Sequence, residues 1–215
     1  MKLSQISLKR FVLSDIQENC YLLSLKESSE CVIIDPGLDA QPLVEFLQKE
    51  SLVPKAILIT HGHVDHIGGI PEIDAKWNDV PLYIGEHETK KLVDPEANLS
   101  SYFGFSFVTR EADFTVSDGE TINVGGLELK ALEIPGHSQG HVVYLLTTEE
   151  QSFVFCGDVV FAGSVGRTDF PGGSHSDLIR NIHDKLLSLP NETILYPGHG
   201  PATSISDEKQ NNPYL

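Results

Sequence analysis

His61, Gly62, His63, Val64, Asp65 and His66 follow one another, so three imidazoles and a carboxylate fall within six residues. In an extended loop His61 and His63 project the same way, because side chains two apart share a face. Asp65 and His66 are adjacent, so at least one of them turns toward a different point. A single tetrahedral ion has difficulty taking all four, whereas two neighbouring ions can take two each. Farther along, Pro135-Gly136-His137 and Pro197-Gly198-His199 repeat one pattern. Proline stops a β-ladder, glycine permits positive φ and close backbone approach, and the histidine is delivered at the turn. Cys156-Gly157-Asp158 is a related case, an apolar run closing on glycine and a carboxylate. A carboxylate can bridge two cations, because each oxygen can serve one.

Imidazole and carboxylate in this ratio suit zinc, iron or manganese better than calcium or magnesium, which take all-oxygen shells. Taken alone, any one of these histidines reads as a capped or solvated side chain. Gathered at the ends of predicted strands, they would leave many buried polar groups without partners unless something joins them, and that is costly. Structural zinc is usually closed and rich in cysteine, yet the only cysteine near these segments is Cys156. The pattern predicts an open, catalytic pair of ions.

Each segment begins where a strand is predicted to stop. Residues 55–60 are nearly all apolar, the pattern of a strand buried on both faces, and the His61 cluster follows them. Residues 20–25 and 30–35 flank a polar Glu27-Ser28-Ser29 turn, a hairpin pattern. After Asp35-Pro36-Gly37 a helix is predicted, with Asp39 as its N-cap, Pro42 in the first turn and Leu43, Val44, Phe46 and Leu47 as its apolar face. Further strands are predicted at 127–134, 141–146, 153–156 and 193–196. Between the last two, residues 174–188 are helical by the spacing of Leu178, Ile179, Ile182 and Leu186, with Leu189 just beyond and a Ser174/Asp177 capping signal in front. Strands interleaved with helices indicate a layered α/β domain. With no low-complexity tract, linker or repeat, residues 1–215 read as one domain, and the tail 206–215 as a helical turn capped at Ser206.

A chain of 215 residues can bury roughly 70% of its unfolded surface and fold without staples. Fifteen Lys+Arg against 31 Asp+Glu leave a formal net charge of −16. Such a field repels phosphate backbones and anionic lipid, so neither nucleic acid nor a membrane is an expected partner, and it suits cation binding. No apolar run approaches the ~20 residues of a membrane span. The start, Met1-Lys2-Leu3-Ser4-Gln5, has no hydrophobic signal segment, so a cytoplasmic location is expected. Cys20, Cys31 and Cys156 cannot all pair within the chain and form no C-x-x-C; they are expected as small buried hydrophobes in a reducing compartment.

Residues 60–69, Thr60-His61-Gly62-His63-Val64-Asp65-His66-Ile67-Gly68-Gly69, resemble the signature of the metallo-β-lactamase superfamily. The spacing to His137, Asp158 and His199 continues the resemblance over nearly the whole chain. It implies a four-layer αββα sandwich with a metal groove at one edge of its sheets. It also implies that His61, His63 and His137 hold one divalent ion, that Asp65, His66 and His199 hold another, and that Asp158 bridges them. Zinc is the first expectation, with iron or manganese as alternatives. One such site serves many chemistries, so the signature speaks to fold more than to substrate. Within the superfamily, Asp158 argues against antibiotic hydrolysis, because β-lactamases of this fold generally lack the bridging aspartate. Nuclease members add a domain or an RNA-binding arm for which this compact acidic chain shows no room. The chain most resembles glyoxalase II-like thioester hydrolases, in the short bacterial form without the C-terminal helical extension that supplies much of the glutathione-binding surface. Residues 163–169, Gly163-Ser164-Val165-Gly166-Arg167-Thr168-Asp169, are instead similar to a loop of persulfide dioxygenases, which use one iron held by two histidines and an aspartate. A mononuclear iron persulfide dioxygenase is therefore the alternative, and a non-enzymatic metal-binding protein the second.

On the hydrolase reading, a hydroxide bridging the cations attacks a small thioester or related ester, since bound ions bring the pKa of water toward neutral. One ion polarises the carbonyl and stabilises the oxyanion. Asp65 and Asp158 orient the nucleophile and accept or shuttle its proton, and a thiolate leaves without a general acid. Arg167 is expected either to pair with a substrate carboxylate or to pin its loop through Asp169. His141 is expected to support a ligating imidazole. Segment 94–107 carries Tyr102, Phe103, Phe105 and Phe107 and reads as a lid through which Tyr102 meets a small-molecule substrate, as a plug in the core, or as a dimer contact; oligomeric state stays open. His87, His175 and His183 read as solvated.

Overall fold

Alternation along the early strands sends Cys20 and Leu22 into one core and Tyr21 and Leu23 into another, so this sheet is covered on both faces. That double burial is why its strands read as nearly continuous apolar runs. The computed structural model describes residues 1–215. Strands β1 (Ile6–Leu13), β2 (Glu18–Leu25), β3 (Glu30–Ile34), β4 (Val53–Ile59), β5 (Leu82–Gly85) and β6 (Phe114–Val116) form the first sheet in that order. Pairing is antiparallel from β1 to β3 and parallel from β3 to β6. The second sheet contains β7 (Thr121–Val124), β8 (Leu127–Glu133), β9 (Val142–Thr147) and β10 (Ser152–Gly157). A hairpin of β11 (Val160–Phe161) and β12 (Ser164–Val165) follows, before β13 (Ile194–Pro197) and β14 (Thr203–Ser204) complete the second sheet in the order β14-β13-β10-β9-β8-β7.

Helices α1 (Gln41–Lys49), α2 (Val64–Ile67), α3 (Ile70–Asp74) and α4 (Thr89–Val93) belong to the first half of the chain, and α5 (His175–Asn181) and α6 (Ile205–Asn211) to the second. Three apolar clusters define the layering. One joins α1 (Leu43, Val44, Leu47) to the first sheet, one lies between the sheets around Leu58, Tyr144 and Phe155, and one joins α5 and α6 (Leu178, Ile205) to the second sheet. This is the expected four-layer αββα sandwich. No helix is long and apolar enough to cross a membrane.

Several local expectations are corrected. β1 went unread because only Ile6 and Leu13 of its residues are buried, which leaves the weak periodicity of an edge strand. Asp39 does not cap α1. It takes φ +61°, a left-handed conformation that aspartate tolerates, and Ala40 is the N-cap, its N–H bonded to Glu72 Oε1 at 3.2 Å. The tail helix is capped by Ser204 rather than Ser206, with Ser204 Oγ accepting the Asp207 N–H at 3.1 Å. Ser174 caps α5 as expected, but after Asn181 the helix widens into a π-turn at Ile182–Leu186.

Candidate metal centre

The sheets aim the ligand-bearing loops at one place. β8 and β10 are both antiparallel to β9, and β10 is parallel to β13, so the C-terminal ends of β8, β10 and β13 share one edge of the second sheet. β4 brings the His61 loop to that edge from the first sheet, where Thr60 O accepts the Val142 N–H at 2.9 Å. Asn19 and Tyr21 of β2 fasten the other end. The Pro197 carbonyl accepts Asn19 Nδ2 at 2.9 Å and the Tyr21 hydroxyl at 2.7 Å, while Gly198 O accepts the Asn19 N–H at 2.7 Å. The two Pro-Gly-His turns use their glycines differently. Gly136 combines φ +137° with a close approach to Leu178 N, 2.4 Å from where a Cβ would lie, whereas Gly198 has no positive φ and serves close approach alone, a Cβ there lying 2.4 Å from Asp158 Oδ1 and 2.6 Å from His66 Cε1.

Three imidazole nitrogens converge on one point. His137 Nε2 lies 3.2 Å from His61 Nε2 and 3.1 Å from His63 Nδ1. Burial holds all three rings below the ordinary histidine pKa, so they are neutral. Because His137 Nδ1 donates to the Arg167 carbonyl at 2.7 Å, its single proton is spent and its Nε2 presents a lone pair to the other rings. Converging lone pairs in a buried site are what a cation satisfies.

The remaining candidate ligands form a second cluster beside the first. Asp65 Oδ2 lies 3.3 Å from His199 Nε2 and 3.8 Å from His66 Nε2. Asp158 faces both clusters, with Oδ2 3.7 Å from His137 Nε2 and Oδ1 3.4 Å from His66 Nε2 and 3.8 Å from His199 Nε2. His66 Nε2 and Asp158 Oδ1 are buried with no hydrogen-bond partner. Burial alone would push His66 down, but the Asp65 and Asp158 carboxylates outweigh it and hold His66 well above its usual value. His199 is raised too, against burial, by its hydrogen bond to Asp65 and the charge of Asp158. Burial would raise Asp158, yet His66, and after it His137 and His199, keep it ionised far into acid. The donor set of both clusters fits a divalent cation in each.

The structure also shows what holds these groups. His141 Nε2 accepts the Asp158 N–H at 3.1 Å and its ring stacks on His61 at 4.7 Å. Asp35 was missed. Its Oδ1 accepts the Thr60 N–H at 2.7 Å, and its Oδ2 accepts the Thr60 hydroxyl at 2.7 Å and His66 Nδ1 at 3.0 Å. The signal was present, since Asp35 closes an apolar strand just as Asp158 does. Glu18 was missed as well: it is wholly buried, 3.9 Å from His66 Nδ1, and burial pushes its carboxyl well up.

At the rim, Arg167 Nε and Nη2 each meet Asp169 at 2.7 Å, which is the loop-pinning arrangement. The same guanidinium lies 4.0 Å from the Phe170 ring centre. Phe170 stands 5.8 Å from His63 and 5.9 Å from Tyr102, which is 74% exposed. Phe107 packs on the first core, whereas Tyr102, Phe103 and Phe105 remain exposed, so segment 94–107 is part plug and part surface. His87, His175 and His183 are exposed, and the three cysteines are free and buried.

A two-sheet sandwich whose shared edge gathers histidines and carboxylates marks a class of metal-dependent enzymes that hold divalent ions. The chain belongs to the metallo-β-lactamase superfamily, whose family profile matches residues 13–199. It is 38% identical over 208 residues to a probable metallo-hydrolase, YqgX, of Bacillus subtilis, covering 96% of each chain. It is 33% identical over 201 residues to the hydroxyacylglutathione hydrolase GloC of Haemophilus influenzae, covering 93% of each. Among solved structures it is similar to the BLEG-1 B3 metallo-β-lactamase, with 40% identity, a TM-score of 0.92 and coverage of 97% of this chain and 99% of that one. It is similar also to TTHA1623 in a di-iron-bound form, with 34% identity, a TM-score of 0.83 and coverage of 96% and 100%.

Proposed function

We propose that this protein is a dinuclear metallohydrolase of a small thioester. The observation that carries the reading is Asp158, whose oxygens face the His61/His63/His137 cluster on one side and the Asp65/His66/His199 cluster on the other. Bound divalent ions supply Lewis acidity there and bring the pKa of water toward neutral. Asp65 Oδ2 and the Asp158 oxygens would orient the nucleophile by accepting its hydrogen bonds, since Asp158 stays ionised far into acid. A thiolate is a stable leaving group, so the absence of a further acid among the expected catalytic residues is consistent with a thioester. Phe170 and Tyr102 offer the substrate an aromatic wall leading away from His63, and Arg167 stiffens that wall.

The hydroxyacylglutathione hydrolase among the relatives supports the thioester class. Zinc is the first choice of ion, while the di-iron neighbour supports testing iron beside it. Three buried free thiols suit a reducing, cytoplasmic setting, and the acidic charge suits a small-molecule substrate rather than nucleic acid or membrane. The β-lactamase among the structural neighbours favours a second reading, hydrolysis of a β-lactam, despite the expectation drawn from Asp158.

One experiment separates these. The protein is purified without added metal, its ions are counted, and it is offered hydroxyacyl-glutathione and other thioesters, β-lactams, and a persulfide with oxygen uptake recorded. Two ions per chain and thioester turnover without oxygen demand are expected. One iron with persulfide-dependent oxygen uptake would establish the dioxygenase, turnover of β-lactams alone would establish the second reading, and no turnover in metal-replete protein would leave a metal-binding role.

A further inference from the structure

Glu88 ligates nothing in either cluster, yet it is completely buried. It ends the 3-10 turn Glu86–Glu88 that leads into α4. Its Oε2 accepts the N–H of Gly62 at 2.8 Å, the residue between His61 and His63. Its Oε1 accepts the N–H of Gly140 at 2.8 Å and the hydroxyl of Ser138, the residue after His137. Lys91 completes the group, with Nζ 2.9 and 2.7 Å from the Glu88 oxygens and 2.7 Å from Ser138 Oγ. One carboxylate therefore grips two loops that follow strands of different sheets and whose histidines are 74 residues apart in the chain.

The packing agrees. A Cβ on Gly62 would lie 2.5 Å from Lys91 Cβ, and one on Gly140 would lie 2.6 Å from His87 Cβ. Both loops are thus seated directly on the Glu86–Val93 stretch. Burying an ion pair is expensive, and hydrophobic residues of similar volume often serve stability as well. What such residues could not do is accept hydrogen bonds from both loops at once. The Asp65/His66/His199 cluster takes its contacts from Asp35, Glu18 and Gly198 instead, and Glu88 touches none of these ligands.

We propose that Glu88, with Lys91 as its counter-charge, is a positioning residue that sets the spacing of His63 and His137 and so governs the affinity of the ion held by His61, His63 and His137. It leaves the ion held by Asp65, His66 and His199 alone. The proposal rests on the dinuclear reading above. Hydrogen-bonding partners of ligand groups commonly change metal affinity by about 10–100-fold.

The test is equilibrium titration of metal-free protein with Co(II), counting ions and recording the absorption of each site. Glu88→Gln keeps shape but presents an amide NH2 to the donors of one loop and leaves Lys91 without its counter-charge. One ion should bind at wild-type affinity, and the other, with the absorption of the nitrogen-rich site, should weaken about 10–100-fold. Ser138→Ala removes a single contact and should weaken the same ion roughly 2–10-fold. Glu88→Gln protein that binds both ions like wild type, or weakens both equally, overturns the proposal. Should Glu88→Gln fail to fold, Ser138→Ala decides, and unchanged affinity for both ions overturns it. Wild-type protein that takes up fewer than two ions defeats the dinuclear reading itself, a result distinct from two ions that are indifferent to Glu88.

Discussion

The Nδ1 of His66 lies 3.0 Å from Oδ2 of Asp35, on the side of the ring away from Asp65 and Asp158. A proton held on Nδ1 by Asp35 leaves the Nε2 proton as the one an ion in the second cluster would displace. Asp35 thereby selects the tautomer as well as the orientation of the ring. The same carboxylate holds Thr60, next to His61, so it braces both clusters.

Asp35→Ala should leave the buried Thr60 N–H unpaired and cost about 1–3 kcal/mol of stability. It should also weaken the ion at His66 about 10–100-fold. Denaturant unfolding of the metal-free protein measures the first and ion counting the second. Unchanged affinity would show that His66 needs no orienting partner.

Asp158→Ala should lose metal and turnover together, because the carboxylate that faces both clusters disappears. His63→Ala should act in the same direction through the first cluster. Elemental analysis beside thioester kinetics checks both. An Asp158→Ala protein with full metal content and full rate would contradict the bridge.

Acid should empty the clusters in order. His61, His63 and His137 have lowered pKa values and keep free lone pairs well into acid. His66 and His199 have raised values, so an ion bound there must displace protons, and its affinity falls as pH drops. Between about pH 8 and about pH 5, on either side of the ordinary histidine value, the Asp65/His66/His199 ion should leave first. Ion counts after desalting at stepped pH would show the order, and loss of the nitrogen-rich site first would reverse the argument.

Burial pushes the Cys31 thiol up to about 12 and raises Cys20 and Cys156 as well. Raised values mean no thiolate at neutral pH, and the thiolate is the reactive form. A colorimetric thiol reagent should find none of the three cysteines in native protein and all three after denaturation. Rapid native labelling would mean that a core layer opens.

Tyr102→Ala and Phe170→Ala should raise KM for a thioester roughly 3–10-fold through lost aromatic contact, with kcat little changed. Steady-state kinetics on both variants decides. An unchanged KM would remove this wall from the substrate's path.

The seven candidate ligands were legible because their chemistry is conspicuous: histidine or aspartate follows an apolar run, and five of the seven stand beside a glycine. Seven of the fourteen strands, β2, β3, β4, β8, β9, β10 and β13, and the α1 and α5 helices were legible from burial periodicity, whereas the short or edge strands β1, β5, β6, β7, β11, β12 and β14 were not. Asp35 passed for a turn residue, since one carboxylate at a strand end is ordinary. Glu88 and Lys91 drew no attention in the sequence, because nothing local marks an i,i+3 pair as lying beneath two loops. Asp39 was misplaced because a capping preference could not foresee its left-handed backbone.

Residue types and their near-neighbour spacing determined the layered fold class, the turns that carry each ligand and the kind of ion they suit. Those properties follow from local backbone sterics and from which side chains shun water. Tertiary structure alone decided that Asp158 stands between the clusters, that Asp35 orients His66, and that Glu88 joins loops from separate sheets. Such distances depend on strand order and register across the sandwich, and residues far apart in the chain acquire them only when the sheets close on each other.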